Sequence, residues 1–214
     1  MTTLLRIDVS PRPATQAGSG LEGSFSRDLA DVVEARIVLH HNDLTILRRD
    51  LAAEALPHIG DLTIKGYYTS PDAMTDDLRA ATALSDRLIG EIEAADLLLL
   101  SVPLYNFSLP SAFKAWIDQI VRINRTFSYE NGAFRGLVSG KTAYLCHAYG
   151  ANGYLDGGPF ASYDHMSPYL RMILGFIGIT DVTSFAIEAT TADAGTIAAK
   201  RASALARIEA HFAA

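Results

Sequence analysis

A chain of 214 residues, 49% hydrophobic and 20% charged, carries enough apolar side chain for one folded domain with a sizeable core and does not read as disordered. A net charge of −6 and a pI near 5.4 argue against a non-specific nucleic-acid surface or an anionic-membrane surface. No apolar run approaches the roughly 18 residues of a membrane span. The opening MTTLLRIDVSPRP lacks the apolar core of a signal peptide. The single Cys146 cannot close an internal disulfide, so a cytoplasmic protein is the simplest expectation.

Taken in order, Leu4 to Val9 reads as a first strand, with Leu5, Ile7 and Val9 apolar. Arg6 and Asp8 fall on its other face, an awkward pattern for a central strand. Residues 11 to 23, rich in Gly, Pro, Ser and Thr, read as loop. Ser24-Phe25-Ser26 opens a helical pattern carried by Leu29, Val32 and Val33. A second strand is expected over Leu44 to Leu51. Residues 52 to 74 show no period and contain two prolines and two glycines, so they are expected to be irregular. Helix follows from Thr75 to Ala95, with Leu78, Ala81, Leu88 and Ile92 on one face.

The unbroken run Leu97-Leu98-Leu99-Leu100, continued by Ser101-Val102, predicts a strand buried on both faces, the centre of a parallel sheet. Pro103-Leu104-Tyr105-Asn106-Phe107 leaves it as a loop. Phe113, Trp116, Ile117, Ile120 and Val121 then form one helical stripe, with Ser108 or Ser111 available to cap it and Pro110 near the first turn. Glu130-Asn131-Gly132 inside Phe127 to Leu137 signals a hairpin. Thr142 to His147 is the fourth strand, Tyr149 to Gly158 a Gly-rich loop, Ser167 to Ile177 a helix, Val182 to Ile187 the fifth strand and Ala192 to Phe212 a closing helix. Five strands alternating with helices, with no repeat or linker, imply one three-layer α/β domain over 1–214.

Ligands sit at the carboxyl edge of such a sheet, and three stretches meet there. Ser10, Ser24 and Ser26 supply hydroxyls beside a helix N-terminus, a set suited to a phosphate dianion, although plain N-capping uses the same residues. Tyr105 and Phe107 can flank a flat ligand, and Asn106 offers a donor and an acceptor. The loop His147-Ala148-Tyr149-Gly150-Ala151-Asn152-Gly153 lies at the same edge, its glycines open to close backbone approach. His147 fits either a ligand contact or a hydrogen-bonded strand-end histidine. Gly18-Ser19-Gly20-Leu21-Glu22-Gly23 spells G-x-G-x-x-G, but seven residues separate Ser10 from Gly18, whereas a dinucleotide fingerprint follows its strand directly, so a flexible loop is the better reading. The histidines show no metal-ligand spacing, no G-x-S-x-G elbow or P-loop is present, and Cys146 and Trp116 read as core.

The central segment resembles a known family. Pro103-Leu104-Tyr105-Asn106-Phe107, Leu109-Pro110-Ser111, Lys114-Ala115-Trp116-Ile117-Asp118, Thr126-Phe127, Tyr129-Glu130-Asn131-Gly132 and Gly136-Leu137 are similar to the middle of the FMN-dependent NADH-azoreductases, also called NADH:quinone reductases. Leu174-Gly175-Phe176-Ile177-Gly178-Ile179 resembles their late helix end. The resemblance implies a flavodoxin-like fold with strand order 2-1-3-4-5, bound FMN and a homodimer with its sites at the subunit interface. By motif, Ser10 and Ser24-Phe25-Ser26 would hold the phosphate. Leu104 to Phe107 (Leu104, Tyr105, Asn106, Phe107) would line the isoalloxazine and contact its polar edge, with Pro103 also in the cofactor site. His147, Ala148, Tyr149 and Gly150 would meet its pyrimidine end. Tyr129, with Phe176 of the partner subunit, would border the substrate pocket. Two departures stand out: His147-Ala148-Tyr149-Gly150 replaces the family's common Ser-Arg-Gly-Gly, and the Pro11 to Gly23 loop is long.

The implied reaction is a ping-pong relay with no dedicated acid or nucleophile. NADH reduces the flavin, and a quinone or azo compound then takes its place and accepts two electrons. Two other readings compete: a non-enzymatic FMN electron carrier or redox sensor, and a flavin-free nicotinamide dehydrogenase using Gly18, Gly20 and Gly23. The aromatic hairpin favours a small-molecule pocket over a partner-docking surface.

Overall fold

The computed structural model describes residues 1–13 and 23–213. Gly18 and Gly20 therefore lie outside the described residues, as does most of the G-x-G-x-x-G stretch. Five parallel strands form one sheet: β1 (Thr2–Asp8), β2 (Leu44–Asp50), β3 (Leu97–Pro103) and, after a hairpin of β4 (Phe127–Glu130) and β5 (Ala133–Gly136), β6 (Thr142–Ala148) and β7 (Asp181–Ile187). Their order is β2-β1-β3-β6-β7. With the hairpin set aside, this is the expected 2-1-3-4-5.

The apolar run of β3 does what its composition requires. Leu98, Leu99, Leu100 and Val102 are all fully buried, with Leu100 in register between Ile7 and Leu145. Leu98 and Leu100 face one layer of helices, α3 (Asp76–Ala94), α4 (Ser111–Ile120) and α5 (Ser167–Ile177). Leu99 faces the other layer, α1 (Phe25–His40) and α6 (Ala194–Phe212), beside Leu4, Cys146 and Phe185. Burying each such leucine contributes about 2 kcal/mol, which is why a strand polar on neither face belongs at the centre. Helix starts follow local chemistry: Ser24, Thr75 and Asp193 each accept the backbone N–H three residues on.

Two expectations are corrected. The stretch 52–74 contains α2 (Asp61–Tyr68) and a short 3-10 turn at Pro71–Ala73. The period was invisible because α2 buries only Gly66, while Leu62 and Ile64 stay about half exposed. Gly60 N donates to Thr63 Oγ1 and Lys65 pairs with Asp61 locally, while Gly66 packs against Thr82 of α3 and the Tyr67 hydroxyl donates to Gln119. Neither Ser108 nor Ser111 caps α4. Pro110 is the N-cap residue, its carbonyl accepting from Phe113 N and Lys114 N; Ser111 is already the first helical residue, and Ser108 lies two residues before the cap.

The hairpin turns through Asn131 and Gly132, both at positive φ (53° and 80°), the geometry that Asn-Gly suits. It docks on the end of α5 where Gly136 meets Gly178. A Cβ at Gly136 would lie 2.3 Å from Gly178 N and 2.4 Å from Ile177 C. Backbone cannot yield as a side chain can, so Gly136→Ala is expected to cost about 2–3 kcal/mol and lift the hairpin. Denaturant unfolding and hydrogen exchange at Val138, whose N–H donates to Ile177 O at 2.8 Å, test this. Unchanged midpoint and exchange would show the contact to be slack.

Candidate functional site

A cleft of about 490 Å³ opens at the carboxyl edge of the sheet, where β1 and β3 diverge. In doubly wound sheets that reversal of strand order is where the chain leaves room for a ligand. Its first wall is Ser10, Pro11, Arg12, Gly23, Ser24 and Phe25. Ser10 and Ser24 are buried against the start of α1. Ser10 Oγ accepts from Arg12 N at 3.2 Å. Ser24 Oγ caps α1 through Arg27 N (3.4 Å) and lies 3.1 Å from Ser26 Oγ. Capping and cleft lining thus coexist in Ser24, whereas Ser26 is fully buried behind it.

The second wall is Pro103, Leu104 and Tyr105 at the end of β3. Leu104 N donates to Ala148 O at 2.9 Å, tying this wall to the next. Tyr105 and Ser108 exchange both backbone hydrogen bonds (2.9 and 3.0 Å), closing a two-residue turn with Asn106 and Phe107 at φ 48° and 69°. Asparagine tolerates that region, but phenylalanine there costs about 1–3 kcal/mol. His165 N donating to Phe107 O (3.0 Å) and the Tyr163 ring 5.8 Å from Phe107 hold the turn. Asn106 and Phe107 therefore stand beside the mouth, with Phe107 half exposed, rather than on the cleft wall.

The third wall is Ala148, Gly150, Thr190 and Thr191. Side chains alternate along a strand, and this sends His147 and Tyr149 away from the cleft into the core. His147 Nδ1 lies 3.4 Å from Val102 O, and its Nε2 is buried with no partner among the described residues. Burial lowers its pKa to about 4, so it is neutral. The Tyr149 hydroxyl donates to Asp164 Oδ2 at 2.9 Å. Burial, then the Asp164 charge, raises its pKa and keeps it protonated. Their neighbours Ala148 and Gly150, not these two residues, line the cleft. The N–H groups of Gly150, Ala151 and Asn152 have no partner among the described residues.

Thr190 and Thr191 were not anticipated from sequence, although they follow β7 at the ligand edge and so carried a positional signal. Each braces the third wall with its N–H and hydroxyl, Thr190 on Tyr149 O and Thr191 on Gly150 O. Glu188 was missed too. Its Oε1 accepts from the N–H groups of Gly153, Tyr154 and Leu155 at 2.9, 2.6 and 3.1 Å, pinning the loop beyond Gly150. Tyr129 and Phe176 do not line the cleft. They belong to a separate aromatic group on the hairpin and α5, with Phe127 at 4.8 Å and Phe134 at 5.4 Å from Phe176, and Tyr129 at 4.7 Å from Phe134. Among the described residues no group of three or more His, Cys, Asp or Glu side chains could hold a metal ion, and no helix is long and apolar enough to cross a membrane.

An open five-stranded parallel sheet, helices on both faces and a hydroxyl-lined cleft at the switch point define a flavodoxin-like nucleotide-binding protein. Residues 2–212 match the family model described as flavodoxin-like fold, and the chain belongs to that family and, within it, to the FMN-dependent NADH:quinone oxidoreductases. The protein of that name from Xanthobacter autotrophicus is 54% identical over 182 residues, covering 85% of this chain and 84% of that one. FMN-dependent NADH:quinone oxidoreductase 2 of Trichormus variabilis is 42% identical over 183 residues, covering 86% and 84%. Among solved structures, an azoreductase from Bacillus anthracis superposes with a TM-score of 0.85 at 24% identity, covering 99% of each chain. An FMN-dependent NADH-azoreductase from the same species, in complex with FMN, superposes at 0.82 with 19% identity, covering 100% and 98%. These two share the fold of this chain.

Proposed function

We propose that this protein is an FMN-dependent oxidoreductase that uses NADH to reduce quinones and to cleave aromatic azo compounds. The observation that carries the reading is the donor set of the cleft. Ser10 and Ser24 hydroxyls and the start of α1 line one wall, apolar Pro103 and Leu104 another, and Gly150, whose N–H has no partner among the described residues, the third. Those residues fit a flavin mononucleotide: an anion at the first wall, a flat apolar ring at the second, and a polar ring edge at the third.

Ser10, Ser24 and the first amides of α1 would hold the phosphate. Pro103, Leu104 and Tyr105 would shape the floor under the ring, and the Gly150 to Asn152 amides would meet its polar edge. Bound FMN would supply the redox chemistry, taking two electrons from NADH and passing them to the acceptor, once for a quinone and in two successive rounds to cleave an azo bond. The chain's part is to position and to exclude water. Exposed Tyr105 and Phe107 at the mouth offer stacking surface to flat substrates. No side chain is assigned as acid or nucleophile: the Cys146 thiol is fully buried and His147 is neutral in the core. Donor and acceptor share one opening, so initial-rate lines should be parallel, and lines that intersect at all substrate ratios would oppose the scheme. The exposed Tyr129 and Phe134, set apart from the cleft with Phe176, support a homodimer in which a second copy brings this aromatic patch to the site. A cytoplasmic location fits the single, buried, unpaired Cys146.

Asn106→Ala is expected to weaken FMN retention or slow its reduction several-fold. The change removes a side-chain donor and acceptor beside the mouth and puts a less tolerant residue at φ 48°. Unchanged affinity and rates would remove Asn106 from the site. The deciding experiment is the visible spectrum of the purified protein before and after NADH without oxygen, then with a quinone. A yellow protein that bleaches and recovers is expected. A colourless protein that takes up no added FMN would overturn the proposal.

A further inference from the structure

Arg6 and Asp8 sit in β1, next to the centre of the sheet, and the proposed function uses neither. Both are buried on the α1 face, with 4% and 8% of their surface exposed. Asp8 accepts from Arg6 Nε and Nη2 (3.0 and 3.2 Å) and from the Ser101 hydroxyl (2.8 Å). Its next cation is Arg27, whose Nη1 lies 3.6 Å from Asp8 Oδ2. Arg27 belongs to the first turn of α1 and reaches back across the base of the cleft's first wall. Its Nε and Nη2 donate to the Ser10 carbonyl at 3.1 and 2.5 Å, and Nη2 also meets both Asp50 carboxylate oxygens at 2.9 and 2.8 Å. One guanidinium thus joins the end of β1, the end of β2 and the start of α1.

Ser10 is where the chain leaves β1, and Ser10 and Ser24 both line the cleft. A planar guanidinium with two donors on one carbonyl fixes the direction of that peptide, which a flexible ammonium cannot do. It also keeps the Ser10 oxygen, a partial negative charge, turned onto a cation instead of toward an anion in the cleft. We propose that Arg27 is a positioning residue for the phosphate end of the site: anchored by Asp8 and Asp50, it grips the Ser10 carbonyl and so sets Ser10 and the following turn for an anionic phosphate. The inference rests on the FMN reading and adds a division of the site into a phosphate end governed by Arg27 and a ring end independent of it.

The test titrates apo-protein with FMN and, separately, with riboflavin, which lacks the phosphate, following flavin fluorescence. Arg27→Gln is expected to weaken FMN binding about tenfold or more, the size expected for losing charge-assisted hydrogen bonds, while riboflavin affinity stays within about twofold. Arg27→Lys, keeping the charge without the fork, should fall between. Equal losses for both flavins, or an unchanged FMN affinity, would overturn the assignment. Should Arg27→Gln not fold, Asp50→Asn decides the matter, with a smaller loss confined to FMN expected and an equal or absent loss contradicting it. A wild-type protein that binds neither flavin would overturn the functional reading, and this inference with it. Wild-type binding with no phosphate-selective effect of Arg27 would overturn the inference alone.

Discussion

Asp8→Ala is expected to lower folding stability by about 3 kcal/mol, because removing one partner of a buried ion pair strands the other charge. Arg6 would lose the carboxylate that takes its Nε and Nη2, and the fully buried Ser101 hydroxyl would lose its acceptor. The loss sits at the low end for buried pairs because Arg6 keeps Asp31 at 2.7 Å and Glu34 at 3.1 Å. Replacing both members with apolar residues, Arg6→Met with Asp8→Leu, should recover much of the loss, since the cost lies in the uncompensated charge and not in the missing attraction. Denaturant midpoints at neutral pH measure both variants. An Asp8→Ala protein within about 1 kcal/mol of wild type would show that water reaches this side of β1.

Acid should destabilise the protein through His147. Its folded pKa, about 4, lies below the ordinary 6.5, with burial as the leading cause. A base whose pKa is lower in the folded state is protonated first in the unfolded chain. Its contribution is therefore complete above pH 6.5 and is lost as pH falls from 6.5 toward 4. The contact with Val102 O and the charge of Asp164 favour the protonated ring, but burial outweighs them, and Nε2 has no partner among the described residues to take up its proton. Between pH 7 and pH 4.5 the loss should be about 2–3 kcal/mol. His147→Leu isolates it: the variant's stability should fall less over that window than the wild type's. Parallel pH profiles for the two proteins would mean that His147 gains a partner on protonation.

Much of the fold was legible because it depends on local composition. A continuous Leu run can be satisfied only between two helical layers, and Asn131-Gly132 carries its turn type in its own backbone freedom. The cleft was legible in part: Ser10, Ser24, Phe25, Pro103, Leu104, Tyr105, Ala148 and Gly150 do meet around one space. Other members of the expected set were displaced for a reason the sequence also held. Strand alternation puts His147 and Tyr149 on the face of Leu145, opposite Cys146 and Ala148, so their side chains enter the core. The helix α2 was missed because it buries a glycine in place of an apolar stripe.

The sequence by itself determined the alternation of strands and helices, the central position of Leu97 to Pro103 and the edge at which a ligand would sit. These follow from burial and turn chemistry within a few residues. Tertiary structure decided what Arg6 and Asp8 are for. Arg6 and Asp8 are two residues apart on one strand face, but the partners that satisfy them come from elsewhere. These are Ser101 and Arg27 for Asp8, and Asp31 and Glu34 for Arg6, and contacts at that separation have no local signature. It decided as well that Glu188, Thr190 and Thr191 brace the third wall and that Phe176 sits with the hairpin and not over the cleft. Those contacts exist only once the chain has closed on itself, because their free energy comes from groups that the unfolded chain leaves apart in water.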